Sequence, residues 1–243
     1  MTAVAAPLIL SFDTATRYCS VALTRGGIGD GEVIAAVSLA LEVTHSRRLL
    51  GLVEWLLDQA GVALKDVEAI AFGLGPGSFT GLRIGMATAK GLCHGAGKPL
   101  LGVSSLDAIG CGIDSNELIC AVLDARKKEV YSCFYRRRAD GLIAPCSEPR
   151  VSSPSRLADT INEPVVLAGE GVGAYLSVWR EHLGAGMRIA SARYHYPAAE
   201  MIGLLTAQQY RAGSFLDLDL AGPLYVRASD AELSLVSPIM KEA

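Results

Sequence analysis

The chain has 243 residues and a mass of 25.5 kDa, enough for one large domain or two small lobes. With 51% hydrophobic and 19% charged residues and a mean hydropathy of +0.34, it is not a disordered chain, which needs low hydrophobicity and high net charge. Its 22 basic and 25 acidic side chains give a net charge of −3, which excludes a nucleic-acid footprint over the whole surface and leaves room only for a local basic patch.

No run reaches the ~18 apolar residues that a membrane span needs, and Met1–Pro7 lacks the basic start of a secretion signal. The six cysteines (Cys19, Cys93, Cys111, Cys120, Cys133, Cys146) are scattered without a C-x-x-C pair, so they read as free, structural thiols in a reducing cytoplasm. A chain this long buries roughly 70% of its unfolded surface and needs no disulfide or metal to fold.

In chain order, Leu8–Phe12 is an apolar strand ending at Asp13, and Cys19–Thr24 is the next. After the turn rich in glycine (Gly26, Gly27, Gly29, Gly31), a third strand runs near Val33–Leu41, predicting an antiparallel meander. A helix is expected from about Ser46 to Ala60, with Thr44 or Ser46 as N-cap and Gly61 beyond its end. Leu49, Leu50, Val53, Leu56, Leu57 and Ala60 share its apolar face. Then come a strand at Ala69–Gly73, the loop Gly75–Phe79, a helix at Thr80–Ala96 and a strand at Leu100–Val103. The second half begins in the same way, with Leu118–Asp124 and then Glu129–Arg136 as strands. A polar segment with Pro145, Pro149 and Pro154 leads to a strand at Val165–Ala168, which enters Gly169-Glu170-Gly171-Val172-Gly173. A helix covers about Ala198–Ala212, and Pro223–Ala243 has no periodicity and reads as a tail.

Each half therefore opens strand, Asp, strand, which hints at an internal duplication and argues for α/β layering. The expected organisation is an N-terminal lobe over 1–104, completed by the helix near 198–212, a C-terminal lobe over 105–222, and a tail over 223–243.

Asp13 and Asp124 are the first candidates for chemistry. A carboxylate at the end of a buried strand can hold a metal-bound phosphate or activate water. Two such aspartates, one per lobe, are the plan of the actin, sugar-kinase and heat-shock ATPase superfamily, which these strands resemble. That plan wants glycines after each Asp, so that backbone N–H groups approach phosphate. Here Thr14-Ala15 and Ala125-Arg126 follow, so a degraded nucleotide grip and a pair of turn-capping aspartates are both open readings.

The loop Gly75-Pro76-Gly77-Ser78-Phe79-Thr80-Gly81 is neither a Walker loop, since no Lys-Ser or Lys-Thr follows, nor a serine-hydrolase elbow. It reads either as an anion site at a helix N-terminus or as a tight strand-to-helix turn. Gly169-x-Gly171-x-x-Ala174 follows a strand and matches the dinucleotide fingerprint, but no acid ends a following strand, and Glu170 stands where the actin-like plan places a second glycine. His45, His94, His182 and His195 show no metal-ligand spacing. The runs Arg126-Lys127-Lys128 and Arg136-Arg137-Arg138 bracket one predicted hairpin; they read as solvated ends or, lined up on it, as a site for tRNA or another anion.

A specific resemblance rests on I-L-S-F-D-T-A-T with C-S-V-A-L, T-H-S-R-R-L-L, G-L-G-P-G-S-F-T-G-L-R-I-G-M-A-T-A-K-G-L, G-V-S-S-L-D-A and D-A-R-K-K-E-V-Y. The chain resembles the TsaB family of bacterial tRNA threonylcarbamoyladenosine biosynthesis proteins, strongly over residues 8 to 135 and more loosely through Val166–Ala174 and Pro223–Arg227. The resemblance implies an actin-like two-lobe fold with a ribonuclease H-like motif in each lobe. It implies a role in threonylcarbamoylation of the adenosine beside the anticodon. It implies as partner the catalytic paralogue TsaD, in a heterodimer joined by the P-loop ATPase TsaE, with tRNA reached through the complex and a homodimer expected when TsaD is absent. It also implies that the complex uses ATP and that this chain binds no cofactor tightly. TsaD holds a metal with a histidine pair, whereas the matching region here has His45 with Leu49 four residues on. The degraded nucleotide sites, Asp13, Thr14, Asp124, Gly169 and Gly171, then imply a non-catalytic subunit. The other class is an independent actin-like kinase or ATPase.

For the partner surface, the helix at Thr80–Ala96 places Arg83, Ala87, Lys90 and His94 on one narrow arc, with small or apolar residues elsewhere. Gly81, Gly85, Ala89 and Leu92 read as a second, flat apolar side open to another helix. In the preceding helix, Leu52 and Trp55 flank the core face, and Trp55 reads as an interface anchor. The expectation is that both helices pack against the matching pair of TsaD.

Overall fold

In the computed structural model, residues 6–40 and 48–227 are described. Thr44, His45, Ser46 and the 228–243 part of the tail lie outside them, and so do the readings made of those residues. The chain is organised around β1 (Leu8–Asp13), whose residues are all buried. Period-2 alternation sends Leu8, Leu10 and Phe12 to one face, and Ile9, Ser11 and Asp13 to the other. β2 (Tyr18–Arg25) pairs antiparallel with β1, and β3 (Glu32–Ala40) antiparallel with β2. β4 (Ala69–Gly73) and β5 (Leu100–Val103) extend the other edge in parallel, giving the order β3-β2-β1-β4-β5.

One face of this sheet is covered by α1 (Leu49–Ala60) and α2 (Phe79–Ala96), through Leu49, Val53, Leu56 and Leu57 and through Leu82, Met86, Ala89 and Cys93. Leu50, assigned above to the core face, is 54% exposed, because one residue turns the helix 100° away from Leu49. The other face takes α7 (Ala199–Arg211), whose Ile202 and Ala207 pack on Ile9, Ala69, Ala71 and Leu101. Ser11 Oγ donates to Ala199 O at 2.7 Å, and Ala199 N donates to Ser20 Oγ at 3.0 Å, so the start of α7 is fixed on β1 and β2.

The second half repeats the plan. β6 (Leu118–Arg126) and β7 (Glu129–Arg137) form an antiparallel hairpin, β8 (Ile143–Pro145) and β9 (Arg150–Ser152) pair with β7, and β10 (Val165–Ala168) and β11 (Met187–Ile189) add in parallel beside β6. The order β11-β10-β6-β7-β8 is the mirror listing of the first sheet, so each lobe carries a ribonuclease H-like motif. α3 (Ser105–Gly110) covers one face through Leu106 and Ile109. α4 (Pro154–Ala158), α5 (Glu170–Ala174) and α6 (Leu176–Leu183) cover the other through Leu157, Val172 and Trp179. The fold is α/β, actin-like, with two lobes.

Past α7 the chain returns to the first lobe. Leu216 and Leu218 join its core, Leu224 N donates to Leu74 O at 2.7 Å, and Arg227 pairs with Glu129 at 2.9 Å. The described start of the predicted tail, 223–227, is therefore tied to β4 and β7, while Leu224 and Tyr225 stay 40% and 45% exposed.

Candidate functional site

The two strand-end aspartates are in unlike environments. Asp13 is 1% exposed. Its carboxylate accepts from Ala15 N at 2.7 Å and from Ser105 Oγ at 2.6 Å, while that same Ser105 Oγ accepts from Gly75 N at 3.1 Å. Burial outweighs these hydrogen bonds and pushes the Asp13 carboxyl up to about 7. Thr14 is also sealed, its Oγ1 donating to Gly81 O at 2.8 Å.

The loop at 75–81 is the tight strand-to-helix turn of the two readings given above. Ser78 N donates to Ala15 O at 2.6 Å, and Ser78 Oγ caps α2 by accepting from Gly81 N at 3.2 Å, so these amides already have protein acceptors. The glycines of α2 face inward. A Cβ on Gly81 would lie 2.1 Å from Thr14 O, and one on Gly85 would lie 2.3 Å from both the Phe72 ring and Thr14 Oγ1. Gly81, Gly85 and the buried Ala89 therefore belong to the helix–sheet contact of their own lobe, which corrects their assignment to an outward partner face. The sheet needs a close helix here because Phe12 and Phe72 fill the space beneath it. Arg83 is exposed but stacks on Phe79 of its own helix, with the guanidinium carbon 3.9 Å from the ring centroid. Leu52 and Leu92 are half-buried against the core, and Trp55 is 52% exposed.

Asp124 keeps part of its side chain at the surface. It accepts from Arg126 N at 2.9 Å and Tyr175 Oη at 3.2 Å, and pairs with the Arg126 guanidinium at 3.4 Å. The turn after it holds Arg126, Lys127 and Lys128 at φ of 63°, 51° and 62°, a left-handed run of three residues with side chains. The two basic runs do not align: about eight residues of β7 separate them, roughly 26 Å. The second run is taken up by acids, Arg136 with Glu163, Arg137 with Asp114 and Arg138 with Asp140.

Gly169, at φ 102°, would place a Cβ 2.0 Å from Val122 O, and Gly171 would place one 2.8 Å from Val122 Cγ1. Both glycines therefore let α5 lie close against the chain's own strand β6. Asp13 and Thr14 are sealed by the chain's own groups, whereas Asp124 keeps part of its side chain at the surface. Among the described residues, no group of three or more His, Cys, Asp or Glu stands close enough to hold a metal ion.

Sequence reasoning gave no role to Ser105, Glu170, Tyr175 or Arg17. Burial raises the Glu170 carboxyl, Asp124 adds to that rise, and Arg126 and Arg17 oppose it. Arg17 donates to Tyr196 Oη at 2.8 Å beside the stacked Tyr18 and Tyr196 rings. The only signal for Ser105 was its place in Ser104-Ser105, at a strand-to-helix boundary.

The family model described as TsaD: tRNA N6-adenosine threonylcarbamoyltransferase matches residues 40–232. The tRNA threonylcarbamoyladenosine biosynthesis protein TsaB of Escherichia coli (strain K12) is 35% identical over 226 residues, covering 90% of this chain and 94% of that one. The protein of the same description from Bacillus subtilis (strain 168) is 29% identical over 228 residues, covering 92% and 96%. A solved structure named YeaZ from Pseudomonas aeruginosa superposes with a TM-score of 0.73 at 32% identity, covering 90% of this chain and 99% of that one. The repeated lobe, the sealed Asp13 turn and these matches along nearly the whole length agree: the chain belongs to the TsaB family of tRNA threonylcarbamoyladenosine biosynthesis proteins.

Proposed function

We propose that this chain serves tRNA threonylcarbamoyladenosine biosynthesis as a non-catalytic subunit that binds TsaD and activates it for threonylcarbamoyl transfer to the adenosine beside the anticodon. One observation carries the reading. The fold is related to a transferase family, yet its strand-end Asp13 is enclosed by Ala15 and Ser105 of the same chain. A carboxylate so enclosed reaches neither a phosphate nor a water in a cleft. In this reading TsaE joins the assembly, ATP is consumed by the complex, this chain holds no cofactor tightly, and tRNA is met through the complex. That work places the protein in the cytoplasm; among the described residues, no helix is long and apolar enough to cross a membrane.

The surface for TsaD is the outer side of α1 and α2: Trp55 at its centre, Leu52 and Leu92 at the edge of the core, and Arg83. A half-exposed tryptophan is the residue type that most often anchors an interface. TsaD is the favoured occupant because its family model matches this chain through both helices, so it offers an equivalent pair for side-by-side packing. A second copy of this chain takes the same surface when TsaD is absent.

The test is sedimentation of the full chain with TsaD, alongside threonylcarbamoyl transfer with TsaD and TsaE. The chain alone is expected to be inactive and to raise transfer by TsaD. Trp55→Ala is expected to weaken assembly by about thirtyfold or more. Unchanged assembly by a folded Trp55→Ala variant overturns the surface; transfer by TsaD and TsaE that does not respond to the chain overturns the role.

A further inference from the structure

A trough on the second lobe lies apart from the strand-end aspartates and from the α1–α2 surface. It opens between the β7–β9 strands and α4 and has a volume of about 260 Å³. Along β7, Tyr131, Cys133 and Tyr135 face the α3 side, whereas Val130 and Phe134 face the layer of Leu157 and Trp179. Ser132 falls between those two on the second face. It is 3% exposed and lines the trough. As a lining hydroxyl it can donate to or accept from an oxygen of a molecule seated there.

The strand register sets Arg150 directly opposite Ser132, and opposed residues of an antiparallel pair share a face. Arg156 of α4 lines the other side. Neither guanidinium forms an ion pair among the described residues, unlike Arg136, Arg137 and Arg138 farther along the same hairpin. Glu148 is the one acid in the lining, which leaves a net positive charge. Phe134, Val151 and Leu157 supply apolar walls.

We propose that this trough binds a small organic anion, its carboxylate or phosphate held by Arg150 and Arg156 beside the Ser132 hydroxyl and its compact apolar or aromatic part against Phe134 and Leu157. The arginine fork suits either anion. The volume falls just short of the ~300–1,000 Å³ of ordinary ligand pockets, so the ligand has the size of an amino acid or a single nucleotide.

Calorimetric titration of the full chain with AMP, benzoate and inorganic phosphate tests this. AMP or benzoate is expected to saturate one site per chain with a dissociation constant below about 5 mM. Tighter AMP assigns a phosphate ligand and tighter benzoate a carboxylate. The Arg150→Gln, Arg156→Gln double variant is expected to weaken binding about tenfold or more. Ser132→Ala is expected to weaken it a few-fold while the protein stays folded. Absence of saturable binding by AMP and benzoate, or binding that the folded double variant leaves unchanged, overturns the site. Inorganic phosphate binding as tightly as AMP, with benzoate not bound, overturns the apolar half of the assignment.

Discussion

The Ser105 hydroxyl donates a 2.6 Å hydrogen bond to the Asp13 carboxylate, joining the strand-end acid of the first lobe to the helix that begins the second. Asp13 is enclosed, and its carboxyl is raised from 3.8 to about 7 chiefly by burial. The native state therefore binds this proton more tightly than the unfolded chain does. The Asp13 contribution to stability is fully present below about pH 4, falls as pH rises toward 7 and is flat above it. Across that window the loss is up to ~4 kcal/mol. Asp13→Asn keeps an acceptor for Ala15 N and cannot ionise. Urea unfolding at several pH values is expected to show the variant gaining on the wild type between pH 4 and 7; a difference independent of pH contradicts this account.

Two glycines of one helix have opposite expectations. A Cβ at Gly85 meets Phe72 and Thr14 at 2.3 Å, whereas one at Gly91 meets nothing within 4 Å. Gly85→Ala is expected to cost ~1–3 kcal/mol by overpacking, despite alanine's better helix propensity. Gly91→Ala is expected to stabilise by ~0.5–1 kcal/mol. Denaturant midpoints of the two variants check both signs.

ATP hydrolysis by the isolated chain is expected to be negligible, because the Asp13 turn and Gly169 are packed against the protein's own backbone. A coupled phosphate-release assay suffices. Robust turnover abolished by Asp13→Asn would revive the reading of an independent actin-like enzyme.

The cysteines offer a check on packing. All six are free, and only Cys146 is exposed. Burial pushes the Cys19, Cys93 and Cys111 thiols up to about 12, leaving little thiolate at neutral pH. A disulfide exchange reagent is expected to modify one thiol rapidly in the native protein and the rest only on unfolding. Rapid modification of several native thiols contradicts the packing of both lobes.

The sequence by itself determined the family and most of the longer elements, but not α3 to α6, β8, β9 or β11. Alternation and apolar runs located β1, β4, β5, β6 and β10, helical spacing located α1, α2 and α7, and the Gly75–Gly81 motif identified the TsaB family, because these signals are local and periodic. The repeated opening of strand, Asp, strand hinted at an internal duplication, and the two sheets share one strand order. Tertiary structure decided which way each small residue faces. The spacing of Gly81, Gly85 and Ala89 is equally compatible with an outward flat face and with close packing on a sheet; only the positions of Phe72 and Thr14, brought under α2 by the parallel β1–β4 pairing, select the second. Asp13 likewise reads as a site residue until Ser105, 92 positions away, closes over it. Arg150 stands opposite Ser132 only through the β7–β9 register, which no periodicity within either segment encodes. Helical and strand periods are written along the chain, whereas the contacts that seal a carboxylate or open a trough join segments whose separation is set by folding.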